Sequence, residues 1–337
     1  MQHGPLNLIT DVPGILVGNA QDDTALTGVT VVLCEQPAVA ACSIPGGGPG
    51  TRETDALQPG NLVEKADAIV LAGGSVYGLE AASAVTAALG RRGRGFPTGA
   101  ALPSPIVPAA ILFDLRNGGL VTPDRPELYR HLGADALASC AAEFDLGNKG
   151  AGMGAVAGQF KGGLGSSSSQ DAELGSLGAI LAVNPFGAVV DAAGRLYCQE
   201  FARSSAGQAE FGPLSPPRAR THGDVLDGSK AQNAFAGGNT TIGVVACSAD
   251  LTRDEALRVA IMGQDGFARA ISPVHTPFDG DALFVLATGQ TKLSSDPAQR
   301  VLQITRLGAE AAHAVSRAIG RAVWSAQPLG QYPALNQ

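Results

Sequence analysis

Charge is scarce in this chain: only 16% of its 337 residues are Asp, Glu, Lys or Arg, and only 5% are aromatic. No Lys/Arg cluster or basic stripe with interleaved aromatics occurs, and the net charge of −7 offers no general attraction to a phosphate backbone. Nucleic acid is therefore excluded as a partner. No apolar stretch is long enough to cross a bilayer, and Met1-Gln2-His3-Gly4-Pro5 lacks the basic-then-apolar pattern of a signal peptide. The expectation is a cytoplasmic protein without membrane contact. Cys-x-x-Cys is missing too. The five cysteines, Cys34, Cys42, Cys140, Cys198 and Cys247, are odd in number and widely spaced, so they read as reduced, mostly buried thiols rather than a disulfide framework or a zinc site. The histidines at 3, 131, 222, 275 and 313 support neither a Ser-His-Asp triad nor a metal site by spacing.

What the chain has is glycine and small apolar residues. Its 45 glycines carry no collagen-like period, and a hydrophobic fraction of 45% is ample for a large core. Low charge with small side chains also suggests surface buried in a homo-oligomer.

Short β-type runs open the chain at Ile15–Asn19, Thr27–Leu33 and Ala38–Ile44, separated by turn residues. Pro45 to Asp55 is too rich in Gly and Pro for regular structure; it lacks the Walker ending and the dinucleotide spacing, so no nucleotide cofactor is expected. A strand over Asp67–Ala72 leads into Gly73-Gly74-Ser75, where Ser75 is placed to cap a helix reaching about Leu89. A short strand around Ala110–Asp114 and a helix from Pro126 to Glu143 follow. Leu177–Asn184 and Gly187–Asp191 read as paired strands joined by an Asn-Pro-Phe-Gly turn. Residues 200–238 lose all periodicity and read as a flexible surface segment. Beyond it, Thr252-Arg253-Asp254-Glu255 is a capping box opening a helix to about Ala270, Ala282–Thr288 is a strand, and Gln299 to Val323 is a long amphipathic helix.

The stretch with most chemical content is Gly237-Gly238-Asn239-Thr240-Thr241-Ile242-Gly243. A flexible turn delivers a threonine to the start of an apolar strand, Thr240 to Cys247. Cleavage between Asn239 and Thr240 would leave Thr240 with a nucleophilic hydroxyl and a free α-amine to serve as its base. On these seven residues alone a plain hairpin turn is the simpler reading.

Other side chains have equally plain alternatives. Lys161, in Phe160-Lys161-Gly162-Gly163, is an exposed hairpin lysine or a cation supporting developing negative charge. Asn184 is a turn residue or an oxyanion donor. Tyr77, in the first turn after Gly73-Gly74-Ser75, is a packed ring or a second donor. Asp279 and Asp281 flank a glycine, as in a turn, but their spacing points both carboxylates to one side of an extended chain.

Several stretches together resemble the DmpA-type aminopeptidases, a family of self-processing N-terminal-nucleophile hydrolases that includes the nylon-oligomer hydrolase NylC. They are Gly-Gly-Gly-Pro-Gly-Thr-Arg-Glu-Thr-Asp at 46–55, Leu-Ala-Gly-Gly-Ser-x-Tyr-Gly-Leu-Glu-Ala at 71–81, Phe-Lys-Gly-Gly at 160–163, Val-Asn-Pro-Phe-Gly at 183–187, Gly-Asn-Thr-Thr at 238–241 and Phe-Asp-Gly-Asp-x-Leu-Phe at 278–284. They span nearly the whole chain. The resemblance implies an α/β (α+β) fold, a four-layer αββα sandwich related to that of ornithine acetyltransferase. It also implies self-cleavage into an α chain (1–239) and a β chain (240–337) that stay together, in a tetramer of αβ units. By the same resemblance Thr240 is the nucleophile, Asn184, Tyr77 and Lys161 line the site, and Asp279 and Asp281 match the acidic pair of the NylC branch. The expected activity is cofactor-free hydrolysis of small peptides or amides, 6-aminohexanoate oligomers among them. An acyltransferase on the same fold and an unprocessed binding protein are the alternatives.

Overall fold

Alternation along the central strands decides the architecture. Along Thr240–Ala249, Ile242, Val244 and Ala246 enter one apolar cluster while Val245 and Cys247 enter another. Successive side chains of a strand point to opposite faces, so a strand apolar on both faces must be covered on both. Lys65–Ala72 behaves likewise, with Ile69 and Leu71 on one side and Ala68, Val70 and Ala72 on the other.

A computed structural model describes residues 2–120, 124–201, 210–211, 224–231 and 238–336. Most of the segment expected to be flexible, 200–238, lies outside the described residues, as does Gly237. The strands are β1 (Gln2–His3), β2 (Ile15–Asp22), β3 (Thr27–Ser43), β4 (Thr51–Arg52), β5 (Lys65–Ala72), β6 (Ala109–Ile111), β7 (Val156–Ala157), β8 (Phe160–Lys161), β9 (Gly163–Asp171), β10 (Gly175–Asn184), β11 (Thr240–Ala249) and β12 (Ala282–Thr291). The helices are α1 (Glu80–Arg91), α2 (Arg125–Ala138), α3 (Arg253–Gly263), α4 (Asp265–Ala270) and α5 (Pro297–Trp324).

The hydrogen-bonded order is β1-β9-β10-β11-β12-β3-β5-β6-β4, with β2 on the other side of β3. Strand β3 belongs to two layers. Its first half pairs with β2 and β5, its register shifts between Leu33 and Ala38, and its second half pairs with β12. One apolar cluster, with Ile69, Ile180, Val244 and Phe284, fills the space between the two sheets so formed. A second packs α3, α4 and α5 on β10, β11 and β12, and a third packs α1 and α2 on β3 and β5. The result is the expected four-layer αββα sandwich. Each fully buried Val, Leu or Ile in these layers contributes roughly 1.5–3 kcal/mol.

Several elements differ from the sequence reading. The two runs Thr27–Leu33 and Ala38–Ile44 are a single strand, because Glu35-Gln36-Pro37 is spanned by an irregularity rather than a turn. Gly187–Asp191 is not a strand paired with β10. The chain leaves the sheet at Asn184-Pro185, Ala188 bridges Ser272, and Val190 bridges Leu196. Ser75 does not cap a helix: it has φ +56° inside a 3-10 turn, Ser75–Leu79, and α1 starts at Glu80. The capping box at Thr252 forms as expected, with Thr252 Oγ1 accepting from Glu255 N, but its helix is broken into α3 and α4 at Gln264.

Candidate active site

Three strand ends meet at the candidate nucleophile. Thr240 opens β11 and shares parity with Ile242 and Val244, so its side chain faces the space between the sheets. Asn184, the last residue of β10, lies directly opposite it in register. On the other side Ile242 pairs with Ala282 of β12, and just before that strand Asn239 forms a parallel bridge with Asp279. Thr240, Asn239, Asn184, Asp279 and Asp281 are all buried.

The Asn239 carbonyl oxygen receives two donors. The Thr240 hydroxyl donates to it, and so does Gly280 N–H at 3.1 Å. A β-carbon on Gly280 would lie 2.8 Å from Thr240 Oγ1 and 2.7 Å from Gly48 O, so only glycine fits between the hydroxyl and the next loop. That loop is the Gly/Pro-rich stretch after β3. Gly46 N–H donates to Asp281 O, Gly47 N–H to Thr276 O, and Gly48 N–H to Asp279 O at 2.8 Å. A β-carbon on Gly46 would come within 2.3 Å of Asp281 N, so the glycines serve this close packing of backbone on backbone.

The two carboxylates scaffold the site. Asp279 Oδ1 accepts Phe186 N–H at 2.9 Å, and its Oδ2 accepts Thr276 N–H at 3.0 Å and the Thr276 hydroxyl at 2.6 Å. This bond to Phe186 is what the Asn-Pro-Phe-Gly segment does in place of a hairpin turn. Burial, and after it the Asp281 charge, hold the Asp279 carboxyl above the ordinary carboxylate range. Asp281 Oδ1 accepts Thr241 N–H at 2.6 Å, fixing the residue after the nucleophile. Its Oδ2 takes His275 N–H at 3.2 Å and meets His275 Nδ1 at 2.8 Å.

Asn184 bridges the cleft. Its Oδ1 accepts Val156 N–H at 2.9 Å, which orients the amide so that Nδ2 donates to Phe113 O at 3.0 Å and to Gly238 O at 3.3 Å. Lys161 is fully buried rather than an exposed hairpin residue. Its Nζ donates to the carbonyls of Gly152 (3.0 Å), Ala155 (2.8 Å) and Gly162 (2.9 Å), using all three N–H bonds of the charged form. Burial lowers its pKa to about 7, opposed by the charge of Asp114. Asp114 is itself buried, accepts from Thr27 Oγ1 (2.6 Å) and Gly74 N (2.7 Å), and is raised to about 6 by burial. Tyr77 is 42% exposed, on the 3-10 turn before α1, with the Arg125 guanidinium 6.0 Å from its ring centre.

Four participants were not legible beforehand. Gly280 supplies a backbone donor, which side-chain motifs do not advertise. His275 sits in the left-handed region at φ +54° and holds Asp281. The peptide N–H of Val156 orients Asn184. Lys230, in the aperiodic segment, donates to Asn184 O at 3.4 Å and Oδ1 at 3.3 Å; burial lowers its pKa to about 7, against the charge of Asp279. No cluster of His, Cys, Asp and Glu suited to a metal ion occurs among the described residues, and no helix there is long and apolar enough to cross a membrane.

Known proteins resemble this chain over most of its length. An uncharacterized aminopeptidase of Mycobacterium tuberculosis is 40% identical over 344 positions, covering 97% of this chain and 96% of the relative. A 6-aminohexanoate-oligomer endohydrolase of Kocuria sp. is 32% identical over 302 positions, covering 85% and 76%. Among solved structures, a Burkholderia sp. beta-aminopeptidase superposes with TM-score 0.70 at 20% identity, covering 99% of this chain and 91% of that one. The L-aminopeptidase D-Ala-esterase/amidase of Ochrobactrum anthropi, described as a variant of the Ntn hydrolase fold, gives TM-score 0.67 at 20% identity, covering 98% and 89%. The profile of Peptidase family S58 matches residues 7–334. With a chain-long match to a peptidase family and a relative 40% identical over 97% of its length, the chain belongs to Peptidase family S58, the DmpA-type family of amide-bond hydrolases.

Proposed function

We propose that this protein is a self-processing amide hydrolase whose nucleophile is Thr240, released as a chain terminus by cleavage of the Asn239–Thr240 bond. The observation that carries the reading is the Thr240 hydroxyl lying against the Asn239 carbonyl, whose oxygen also takes the Gly280 N–H. A donor already aimed at a carbonyl oxygen stabilises the negative charge that develops there on attack, and removal of one such donor typically costs about 10²–10³ in rate.

In the uncut chain, Thr240 Oγ bonds to the Asn239 carbonyl carbon, the C–N bond breaks, and the hydroxyl proton passes to the departing nitrogen. Water then cleaves the ester, leaving an Asn239 carboxylate and a Thr240 with free hydroxyl and amine. An α-amine has a pKa of roughly 7.7–8, so near neutrality a useful fraction is unprotonated and can take the hydroxyl proton in later turnovers. A substrate amide is attacked in the same way. The amine hands the proton to the leaving nitrogen, an acyl ester forms on Thr240, and water releases the acid.

The neighbouring residues set geometry. Asp281 fixes Thr241 through its N–H, Asp279 fixes the turn bearing Gly280, and Asn184 grips the backbone on the acyl side of the bond. Lys161 acts at one remove, through the loop it cages. Tyr77, exposed beside Arg125, is kept as a residue lining the site. Substrates are small peptides or amides; the similarity to a 6-aminohexanoate-oligomer endohydrolase adds linear ω-amino-acid oligomers to the set worth testing. The α and β fragments stay together, held by β10–β11 and β3–β12 pairing, in a cytoplasmic homo-oligomer of αβ units.

Intact mass of the purified protein beside Thr240→Ala tests this. The wild type is expected as pieces of about 24 and 10 kDa, dividing 33.9 kDa in proportion to the lengths of residues 1–239 and 240–337. The variant, lacking the attacking hydroxyl, stays whole. A wild-type chain that remains uncut after long incubation overturns the proposal.

A further inference from the structure

His275 combines two unfavourable features. Its backbone lies in the left-handed region at φ +54°, and its Nε2 is buried with no hydrogen-bond partner among the described residues, the ring packing on Phe267 with centroids 5.5 Å apart. Left-handed backbone is uncommon outside glycine and an unpaired buried polar atom is costly, so such features persist where the surroundings enforce them and gather at functional sites. What this residue does is hold one carboxylate. Its backbone N–H donates to Asp281 Oδ2 at 3.2 Å, and Nδ1 lies 2.8 Å from the same oxygen, which assigns the Nδ1 proton to that contact.

Asp281 stands between the two groups that act on the bond to be cut. Its Oδ1 fixes Thr241 N–H at 2.6 Å, on the nucleophile side; the residue before it, Gly280, donates its N–H to the Asn239 carbonyl at 3.1 Å, on the acyl side. Of the three hydrogen bonds its carboxylate accepts among the described residues, His275 supplies two. We propose that His275 is a positioning residue for the hydrolysis: it clamps Asp281 so that Thr240 and the Gly280 N–H keep their places about the carbonyl under attack. This rests on the Thr240 reading above. The hydrogen bonds of His275 go to Asp281 and not to the reacting atoms, so it acts on the rate through geometry. A displacement of about 1 Å in such a site can cost about 10²-fold.

His275→Gly and His275→Asn together form the test. Both accept a positive φ more readily than other substitutions, and both remove the ring from Phe267, so backbone and packing are closely matched. They differ in the donor. The asparagine amide nitrogen is as many bonds from the backbone as Nδ1 and can reach Asp281 Oδ2, whereas glycine brings nothing there. Self-cleavage is followed by mass against time, kcat and KM are measured on alanine p-nitroanilide with the matured proteins, and thermal unfolding is read beside them. His275→Gly is expected to slow self-cleavage by about 10–10²-fold and to lower kcat similarly, with KM within about twofold of the wild type. His275→Asn should recover most of both rates while unfolding at nearly the same temperature as the glycine variant. A glycine variant that cleaves itself at the wild-type rate, or an asparagine variant as slow as the glycine one, overturns the inference and leaves the Thr240 reading standing. If the glycine variant does not fold, the asparagine variant decides: self-cleavage within about threefold of the wild type supports the clamp, and a larger loss overturns it. A wild-type chain that stays uncut and inactive overturns the Thr240 reading and the inference with it.

Discussion

Lys161 and Asn184 are joined through one peptide group. The carbonyl of Ala155 accepts from Lys161 Nζ at 2.8 Å, and the N–H on the other side of the same peptide, that of Val156, donates to Asn184 Oδ1 at 2.9 Å. A cation at one end and an oriented amide at the other polarise that peptide in the same sense, so each bond strengthens the other. Lys161 thus reaches the site through structure rather than by touching the reacting atoms.

Replacement of Lys161 by Met is accordingly expected to lower stability and activity together. Three buried carbonyls lose their donor, each at about 1–3 kcal/mol before relaxation. The pH dependence has a defined sign. With its native pKa pulled by burial from 10.5 to about 7, Lys161 binds fewer protons folded than unfolded across that interval, so its contribution makes stability rise with pH over it. Thermal unfolding from pH 7 to 10 should rise less steeply in Lys161→Met than in the wild type.

Gly280→Ala tests the backbone donor. The new methyl would stand 2.8 Å from Thr240 Oγ1, forcing the hydroxyl or the Gly48 carbonyl away. Self-cleavage, followed by mass against time, should slow by about 10²–10³, the usual cost of spoiling one oxyanion contact. Unchanged cleavage kinetics would remove Gly280 N–H from the mechanism.

Asp114→Asn addresses the buried Asp114–Thr27–Tyr129 group, in which Thr27 Oγ1 lies 2.9 Å from the Tyr129 hydroxyl. Burial raises Asp114 from 3.8 to about 6, so the folded state binds more protons than the unfolded one in that window. Its contribution is therefore lost as pH rises from about 4 to 6, by about 3 kcal/mol. Denaturant titrations across this range should show wild-type stability falling relative to the variant; a pH-independent difference would refute the assignment.

Lys230→Met removes the cation beside Asn184 and Asp279. The carboxyl of Asp279, already raised by burial and by Asp281, loses an opposing charge and should protonate at still higher pH. The acid limb of kcat/KM should move upward in pH, with kcat/KM at neutrality reduced about tenfold through the two weakened contacts to Asn184. Lys230→Arg should restore part of the shift, which a merely structural loss would not.

How much was legible beforehand depended on whether the information was local. Thr240 stands out because a Gly-Gly-Asn turn meets an apolar strand, and the continuous apolar runs of Leu177–Asn184 and Thr240–Cys247 are visible in the letters themselves. Those runs, the capping box at Thr252 and the amphipathic helix near the C-terminus are properties of adjacent residues, and with the family motifs they determined the sandwich and the place of the candidate site. What remained hidden is non-local. Nothing around Lys161 says that Gly152, Ala155 and Gly162 close around its ammonium, and nothing around Pro45–Gly50 says that its amides dock on Asp279-Gly280-Asp281. The Asn-Pro-Phe-Gly segment carries the signature of a hairpin turn, and only the Asp279 carboxylate, 93 residues away, draws Phe186 N–H out of that role. Backbone donors and buried charges are assigned by what the rest of the chain brings to them, because burial makes each polar group find a partner wherever the fold supplies one.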